Sequence, residues 1–388
     1  MLEYSIIFQY FLTGFCQEEM EFPTLKLGRS CALSLSSDPA YVLHFACQGS
    51  ATHESREKLI GAAISNTHEI KLYLQDTFCC HAVLSGHNNS ISGIVFDKLD
   101  PALLWSSSMD GTLRLWDCSN KKQEKVVFED EDNLGITAMG LSCDGKLLAI
   151  ALEKNPDSLD VLFHVFDVSD KSMIRKVAQF EDIHSDDITQ IKFHPTEAEI
   201  VATCSMDGLV TILTLSTFDE QEALLQTLNI ESSVSTVGFF GPEYEYLYSL
   251  TTDETIQMWK YLEGDLISIT KDFRKKTPDD INVDYAIDCV YHSESRRLFL
   301  LAGAHSGALH LLHLNLDAIE PFQSFCGGHS ATIRCVHVDE GTTMLLTGAE
   351  DGMVCAWMAL QVKENVDKSH KIKDRKSRDK TPYKKKKK

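Results

Sequence analysis

The sequence predicts an all-β chain folded as a single seven-bladed β-propeller. Seven short segments each end on a hydrophobic or aromatic residue six positions after a turn residue, and these end residues recur at intervals of 43 to 53 residues. They are Tyr73, Trp116, Phe166, Leu213, Trp259, Leu312 and Trp357. A repeat of about 40 to 50 residues is typical of propellers, in which each repeat forms one four-stranded sheet around a common axis.

The best-preserved repeat runs from Gly86-His87 to Trp116-Asp117 and has the pattern strand, turn, strand, turn, strand. The spacing between its His and the Asp of its second turn recurs in two other repeats. It is 23 residues from His87 to Asp110, 23 from His184 to Asp207, and 22 from His329 to Asp351. Three nearly equal spacings indicate that these repeats share one local structure.

This pattern resembles the WD-repeat family, whose signature opens with Gly-His and closes with Trp-Asp. The resemblance implies a buried set of hydrogen bonds in each complete blade: the His bonds the Asp of the turn, and a Ser or Thr links the His to the Trp indole. Two complete sets are predicted, His87, Ser106, Asp110 and Trp116, and His329, Thr347, Asp351 and Trp357. Two sets are incomplete: His184, Thr203 and Asp207 have Leu213 in place of the Trp, and Ser249, Asp253 and Trp259 have no His.

Ser106, His87 and Asp110 are also the residue types of a hydrolase triad. A nucleophilic serine needs an exposed hydroxyl, an oriented base and an oxyanion hole. The same trio recurs at the same offsets in several blades, which favours a packing role. Buried polar groups are costly unless partnered, so we expect each set either to close completely or to be replaced by apolar residues. No catalytic residue is predicted.

The resemblance also implies how the ring closes. Members of the family use a segment near the N-terminus as the outer strand of the last blade, which hides sheet edges that would otherwise pair with other chains. Residues 25–35 are the candidate, because they lie just before the first strand of the first blade at residues 41–45. The propeller is predicted over residues 23–360, and loss of residues 25–35 is expected to destabilise the whole ring.

Residues 1–22 are predicted to be an apolar extension, packed or frayed, outside the propeller. Ile6, Ile7, Phe8, Phe11, Leu12 and Phe15 lie within it. The apolar stretch is too short and too interrupted by polar residues to span a bilayer. Glu3 stands where a signal peptide would carry a basic residue. We therefore expect no membrane partner.

Acidic residues cluster on one kind of connection, the one that joins the outer strand of a blade to the inner strand of the next. Equivalent connections emerge on the same face of a propeller, so the clusters should share one rim. A concentrated negative field attracts cationic partners. We predict that the rim docks a basic segment of another protein, the alternative being a solvated acidic surface. Its residues are Glu129, Asp130, Glu131, Asp132, Glu181, Asp182, Asp186, Asp187, Asp279, Asp280 and Asp284.

Residues 361–388 hold thirteen Lys or Arg against four acidic residues, whereas the rest of the chain holds 24 basic and 53 acidic residues. Such a tail cannot bury a core and is predicted to be disordered. Basic clusters act as nuclear-import signals or nucleic-acid contacts. We expect nuclear or nucleolar localisation, with the cytoplasm as the alternative, and non-specific contact with RNA. The residues are Lys371, Lys373, Arg375, Lys376, Arg378, Lys380, Lys384, Lys385, Lys386, Lys387 and Lys388.

Twelve Cys residues are scattered along the chain without a Cys-x-x-Cys pair, and fifteen His residues form no ligand cluster in the sequence. This pattern is unlike a zinc site or a disulfide framework and is typical of a reducing compartment, where a buried Cys acts as a small hydrophobe. We predict no metal, no cofactor and no small-molecule substrate.

The function predicted by these features is a non-catalytic protein-interaction scaffold, because the resemblance implies a platform that assembles other proteins. The alternative is a substrate receptor of a cullin-type ubiquitin ligase. Such receptors often carry Trp-Asp-x-Arg at the end of a blade, whereas Trp116-Asp117 continues here as Cys118-Ser119. No phosphate loop or unrepeated acid–base pair indicates an enzyme, and fold by itself does not fix function.

Overall fold

The computed structural model describes residues 22–33, 40–49, 58–119, 124–278, 281–316, 318–339 and 344–359. These residues form seven four-stranded antiparallel sheets, which confirms the predicted all-β, seven-bladed propeller. Residues 1–21 of the predicted extension and the predicted tail at 361–388 lie outside the described residues.

Blades one to six each contain four consecutive strands, and the seventh combines the last three strands with the first. Blade one contains β2 (Val42–Cys47), β3 (Leu59–Ile64), β4 (Ile70–Leu74) and β5 (Cys80–Leu84); blade two contains β6 (Ile91–Phe96), β7 (Leu103–Ser108), β8 (Thr112–Asp117) and β9 (Glu124–Glu129). Blade three contains β10 (Ile136–Leu141), β11 (Leu147–Leu152), β12 (Phe163–Asp167) and β13 (Arg175–Phe180); blade four contains β14 (Ile188–Phe193), β15 (Ile200–Ser205), β16 (Leu209–Thr214) and β17 (Leu224–Asn229).

Blade five contains β18 (Val234–Phe240), β19 (Tyr246–Thr251), β20 (Ile256–Lys260) and β21 (Asp265–Thr270); blade six contains β22 (Tyr285–His292), β23 (Arg297–Gly303), β24 (Leu309–Leu314) and β25 (Ile319–Phe325). Blade seven contains β26 (Ile333–Asp339), β27 (Met344–Ala349), β28 (Met353–Ala359) and β1 (Leu25–Ala32). The described residues also form α1 (Glu220–Ala223) and a 3₁₀ turn (Phe273–Lys276). Across the described ranges, no helix has the length and apolar character needed to cross a membrane.

A left-handed turn residue explains the regular spacing seen in the sequence. In six of the seven blades, the residue five positions before the predicted end residue has a positive φ and lies in the turn between the second and third strands. These residues are His68, Gly111, Gly208, Glu254, Gly307 and Gly352, with φ values from 54° to 88°. Glycine adopts this conformation without steric penalty. Each of these turns therefore reverses the chain at the same position, between the second and third strands of its blade.

Apolar layers between adjacent blades form the core. Trp116 is buried in the layer between blades one and two together with Leu72 and Ile94. The layer between blades seven and one joins Leu346 and Val354 to Phe45 and Ile60. The inner strands contact their neighbours all the way round, from β2 through β26 and back to β2. Each blade is thus stabilised on both faces by the blades beside it.

The first strand closes the ring, as predicted: β1 covers Leu25–Ala32 of the predicted segment 25–35, and residues 34 and 35 lie outside the described residues. β1 pairs antiparallel with β28, from Leu25 opposite Ala359 to Ala32 opposite Met353. The backbone N–H of Leu25 donates to Gln323 Oε1 at 3.0 Å, which ties the strand to blade six. Phe22, the last residue of the predicted extension, packs against Phe299 with ring centroids 5.2 Å apart.

His164 on β12 lies inside the core of blade three. Its ring packs edge-on against Phe128, with ring centroids 5.4 Å apart, and only 3% of the residue is exposed. Burial lowers the pKa of His164 from 6.5 to about 4, and the nearby Lys176 acts in the same direction. Between these two pKa values the unfolded chain binds a proton that the folded chain does not, so stability falls as the pH falls.

Removal of the closing strand tests its role in the ring. We expect deletion of residues 25–32 to lower the melting temperature of the whole propeller in one transition, because blades six, seven and one lose contacts together. Leu25→Ala should lower the free energy of unfolding by about 3 kcal/mol, because Leu25 is buried. Lys26→Ala, on the exposed side of the same strand, should change it by less than about 0.5 kcal/mol. Equal effects of the two substitutions would contradict the closure.

The buried imidazole predicts a pH dependence of stability. Urea unfolding of the wild type should lose about 2 kcal/mol between pH 8 and pH 5 from His164 alone. His164→Phe should remove that part of the loss, while His305→Gln, at an exposed position, should leave it unchanged. A His164→Phe variant with the full wild-type loss would show that His164 is not the responsible group.

Candidate functional site

The hydrogen-bonded set of blade two contains all four predicted side chains. His87 Nδ1 lies 2.9 Å from Asp110 Oδ2, and His87 Nε2 lies 2.7 Å from Ser106 Oγ. The indole N–H of Trp116 donates to Ser106 Oγ at 2.8 Å. Because a carboxylate can only accept, His87 donates from Nδ1 to Asp110; in that tautomer Nε2 is the acceptor, so Ser106 donates to Nε2 and accepts from the indole. The chain of donors therefore runs from the indole to the carboxylate.

Asp110 is the acceptor at the end of this chain. Burial opposes ionisation of its carboxyl, but hydrogen bonds from His87, Thr112 and the backbone of Asn88 outweigh burial and hold its pKa well below the usual range. The backbone N–H of Asn88 donates to Asp110 Oδ2 at 2.9 Å. One ionised carboxylate thus fixes the loop that enters the blade to the turn between its second and third strands.

Blade seven repeats the complete set. His329 Nε2 lies 2.7 Å from Thr347 Oγ1, and the indole N–H of Trp357 donates to Thr347 Oγ1 at 3.0 Å. His329 Nδ1 lies 3.3 Å from Asp351 Oδ1.

Blade four has the shortened set. His184 contacts Asp207 at 3.0 Å and Thr203 at 2.9 Å, and Leu213 fills the position of the Trp. The two hydrogen bonds to His184 therefore form without an indole donor.

The hydroxyl groups of these sets cannot act as nucleophiles. Ser106, Thr203 and Thr347 each have no solvent-exposed surface, and an indole N–H donates to Ser106 and to Thr347. A nucleophile must be reached by its substrate. The Ser, His and Asp side chains therefore act as structural links between the loop and the turn of each blade.

The set in blade five departs from the expectation that each set is either complete or replaced. Ile230, 23 residues before Asp253, occupies the sequence position of the His. Ser249 Oγ and Trp259 Nε1 are both buried, and neither has a hydrogen-bond partner among the described residues. Asp253 is exposed and accepts a hydrogen bond from the Thr251 hydroxyl instead. The expectation was wrong for this blade, because only one member of the set was replaced.

The acidic clusters lie on the predicted kind of connection. Residues 130–135 join β9 to β10, and residues 181–187 join β13 to β14. Alternate strands of a blade run in opposite directions, so these connections emerge at the same end of the blades as the turns between second and third strands. The backbone N–H of Asp130 accordingly donates to the carbonyl of Gly111 in such a turn, at 3.1 Å.

The long turn of blade three, residues 153–160, lies between these two connections and touches both. The backbone N–H of Glu153 donates to the carbonyl of Gly135 at 2.7 Å. The backbone N–H of Lys154 donates to Asp187 Oδ1 at 2.7 Å, and Lys154 Nζ donates to the carbonyl of Ser185 at 2.7 Å. We call the surface formed by Glu129 and residues 130–135, 153–160 and 181–187 the acidic arc.

Part of the predicted rim has a local structural role. Asp130 Oδ2 accepts hydrogen bonds from the backbone N–H groups of Asp132 and Leu134. Asp187 Oδ1 accepts a hydrogen bond from the backbone N–H of Lys154, and Asp284 Oδ2 accepts one from the backbone N–H of His305 at 2.8 Å. The acidic residues exposed on the arc are Glu129, Glu131, Asp132, Asp157, Asp160, Glu181 and Asp182.

The connection between blades five and six differs in charge balance from the connections at residues 130–135 and 181–187. Residues 271–284 contain four basic as well as four acidic residues. Asp272 accepts from Arg274 Nε at 2.6 Å and lies 2.9 Å from Lys275 Nζ. Asp279 and Asp280 lie outside the described residues. Because its charges offset one another, we do not include this connection in the acidic arc.

The sequence marks residues 153–158 as a long loop, but Glu153, Asp157 and Asp160 were not assigned to the acidic rim, because their turn is not a connection between blades. The signal was available: the turn is longer than its counterparts and carries three acidic residues with one lysine. The basic tail residues from Lys371 to Lys388 lie outside the described residues. The strand before the tail, β28, starts at the turn side of blade seven and ends on the face opposite the acidic arc.

Comparison with known proteins agrees with this architecture. The profile of the family described as WD domain, G-beta repeat, matches residues 78–117, 176–212 and 320–357. The chain belongs to the WD-repeat family of β-propellers, whose members are generally non-catalytic scaffolds.

Among individual proteins, the chain is similar to WD repeat-containing protein 89 homolog of Dictyostelium discoideum. The two are 30% identical over 374 residues, which cover 91% of this chain and 94% of that protein. It is also similar to WD repeat-containing protein GTS1 of Arabidopsis thaliana, with 26% identity over 322 residues that cover 78% of this chain and 79% of that protein.

Blade five allows a gain-of-stability test of the hydrogen-bonded sets. Ile230→His should supply the missing acceptor for Ser249, and it should raise the free energy of unfolding by about 1 kcal/mol. The gain should disappear in a Ser249→Ala background, which leaves the new imidazole without its partner. Urea unfolding of the four proteins measures the effect. A similar gain with and without Ser249 would contradict the proposed link.

Proposed function

We propose that this protein is a non-catalytic interaction scaffold whose acidic arc docks a basic segment of a partner protein. The observation that carries the proposal is the contact of three acidic loops through Glu153 and Lys154. Membership of the WD-repeat family supports a scaffold function. The negative charge of the acidic arc supports a cationic partner.

The charge balance of the arc favours a cationic partner. The three loops and Glu129 contain eleven acidic residues and a single lysine, Lys154. Lys154 Nζ donates to the carbonyl of Ser185, which places this one cation within the loops. Carboxylates on adjacent loops raise the local concentration of a cationic chain and its rate of association. A flexible basic segment can contact several of them at once.

The position of the chain's own tail favours an external partner on the arc. Residues 360–388 follow β28, which ends on the opposite face of the propeller. We propose that the tail instead acts as a nuclear or nucleolar import signal and as a non-specific contact for RNA phosphate. The cullin-receptor alternative has no observation that favours it over the scaffold.

Neutralising the exposed carboxylates tests the docking proposal. The test variant carries Glu129→Gln, Glu131→Gln, Asp132→Asn, Glu181→Gln and Asp182→Asn, and it leaves the structural acceptors Asp130 and Asp187 in place. Binding of a ten-residue arginine- and lysine-rich peptide should weaken at least tenfold in 50 mM salt and less in 200 mM salt, because exposed charges are screened. Isothermal titration calorimetry measures the affinity.

A matched variant on the opposite face controls for net charge. It carries Glu197→Gln, Glu199→Gln, Glu243→Gln, Asp265→Asn and Glu294→Gln, which are exposed positions outside the arc. Its affinity for the peptide should stay within about threefold of the wild type, since long-range charge is largely screened. Equal losses in the two variants would show that net charge, and not the arc, attracts the peptide.

A further inference from the structure

A cavity of about 270 Å³ opens among the inner strands of blades four to seven, on the face opposite the acidic arc. Lys192 of β14, Phe239 of β18, Asp288 of β22 and His337 of β26 contribute to its lining. Lys192, Phe239 and His337 lie in the later halves of their strands, Asp288 lies at the middle of β22, and Pro195 and Tyr244 come from the turns that follow β14 and β18. The size suits a single side chain better than a drug-sized ligand.

A polar bridge between blades five and six forms one wall of the cavity. The hydroxyl of Tyr248 donates to Asp288 Oδ1 at 3.0 Å and lies 2.8 Å from the carbonyl of Cys289. Gly238 is required beneath this bridge, since a Cβ there would collide with the Tyr248 ring. The backbone N–H of Cys289 also donates to Asp288 Oδ1, at 2.7 Å. Both of these hydrogen bonds to the Asp288 carboxyl group are accepted by Oδ1.

Tyr291 supplies a buried polar group that is unpaired among the described residues. The residue lines the cavity, and the unpaired group is its hydroxyl. A buried hydroxyl without a partner costs about 1–3 kcal/mol, so a ligand that pairs with it gains affinity. The Tyr291 ring lies at right angles to that of Tyr244, with centroids 5.9 Å apart. With Phe239 and Tyr248, the lining contains four aromatic side chains.

We propose that this cavity binds the guanidinium group of an arginine side chain. Asp288 Oδ2 and the Tyr291 hydroxyl would accept its N–H groups, and the faces of Tyr244 and Phe239 would contact its planar surface. The site is distinct from the acidic arc, because it lies on the other face of the propeller and does not depend on the arc's function.

A guanidinium fits these groups better than an ammonium or an anion. It offers five N–H donors in one plane, which suits two separate acceptors and flat aromatic walls. An anion would face the Asp288 carboxylate. Burial lowers the pKa of His337 to about 4, so this imidazole is neutral near pH 7 and adds no positive charge. Burial raises the pKa of Asp288, and the positive charge of Lys192, an exposed residue of the lining, acts against that rise. A bound guanidinium would supply a second cation beside the same carboxylate.

Titration of the full chain with small probes tests the proposal. N-acetyl-arginine methylamide should bind with a dissociation constant of about 1 mM, as expected for one buried side chain. The lysine analogue should bind at least fivefold more weakly, and inorganic phosphate should not compete. Asp288→Asn should weaken arginine binding at least tenfold while keeping the acceptor for Tyr248. Lys192→Gln should strengthen it about threefold. Ligand-observed NMR measures all of these affinities.

Asp265→Asn is the matched control, because this carboxylate is exposed on the perimeter and does not line the cavity. It should leave arginine binding unchanged, and all variants should melt within a few degrees of the wild type. The proposal is overturned if the wild type shows no arginine binding at 20 mM, if Asp288→Asn binds as tightly as wild type, or if the lysine analogue binds equally well.

One further variant distinguishes between two sources of the arginine: the tail of this chain and a partner protein. Arg375 and Arg378 lie in the segment that follows β28, which ends on the same face as the cavity. If the tail occupies the cavity, Arg375→Lys with Arg378→Lys should tighten binding of the free arginine probe. If a partner protein supplies the arginine, the double variant should bind the probe with wild-type affinity.

Discussion

Circular closure is the constraint on which the rest of the structure depends. Each blade buries its two faces against its neighbours, so the ring is stable only if its first and last blades meet. β1 completes blade seven by pairing with β28, although their paired residues lie more than 300 positions apart in sequence. The entropic penalty of such a long loop grows only slowly with length and is offset by contacts in three blades. Closure also removes a sheet edge that would invite pairing with other chains.

The apolar layers between blades stabilise the fold as a whole, whereas the hydrogen-bonded polar sets fix individual loops. Blades two and seven contain complete sets, whereas blade four has Leu213 in place of the indole and still forms its hydrogen bonds to His184. Blade five leaves Ser249 and Trp259 unpartnered, yet its strands keep the same topology. The polar sets fix the position of the loops that enter the blades, and such loops carry the acidic arc.

Local patterns in the sequence predicted the blades, their regularly spaced turns, the closing strand and the acidic connections. They could do so because each depends on the period of one repeat. The bridging role of Glu153 and Lys154 depends on contacts between neighbouring loops and was not predictable from spacing. Asp130 and Asp187 could not be recognised as structural acceptors for the same reason. The cavity around Asp288 has no sequence motif, because it arises where four blades meet.

The most direct test of the account is hydrogen–deuterium exchange of the intact chain with and without an arginine- and lysine-rich peptide. The central claim is that three acidic loops from neighbouring blades form one binding surface. The account predicts slower exchange in residues 129–135, 153–160 and 181–187 together, with little change elsewhere on the propeller perimeter. Protection of only one of these loops, or protection confined to the opposite face, would contradict it.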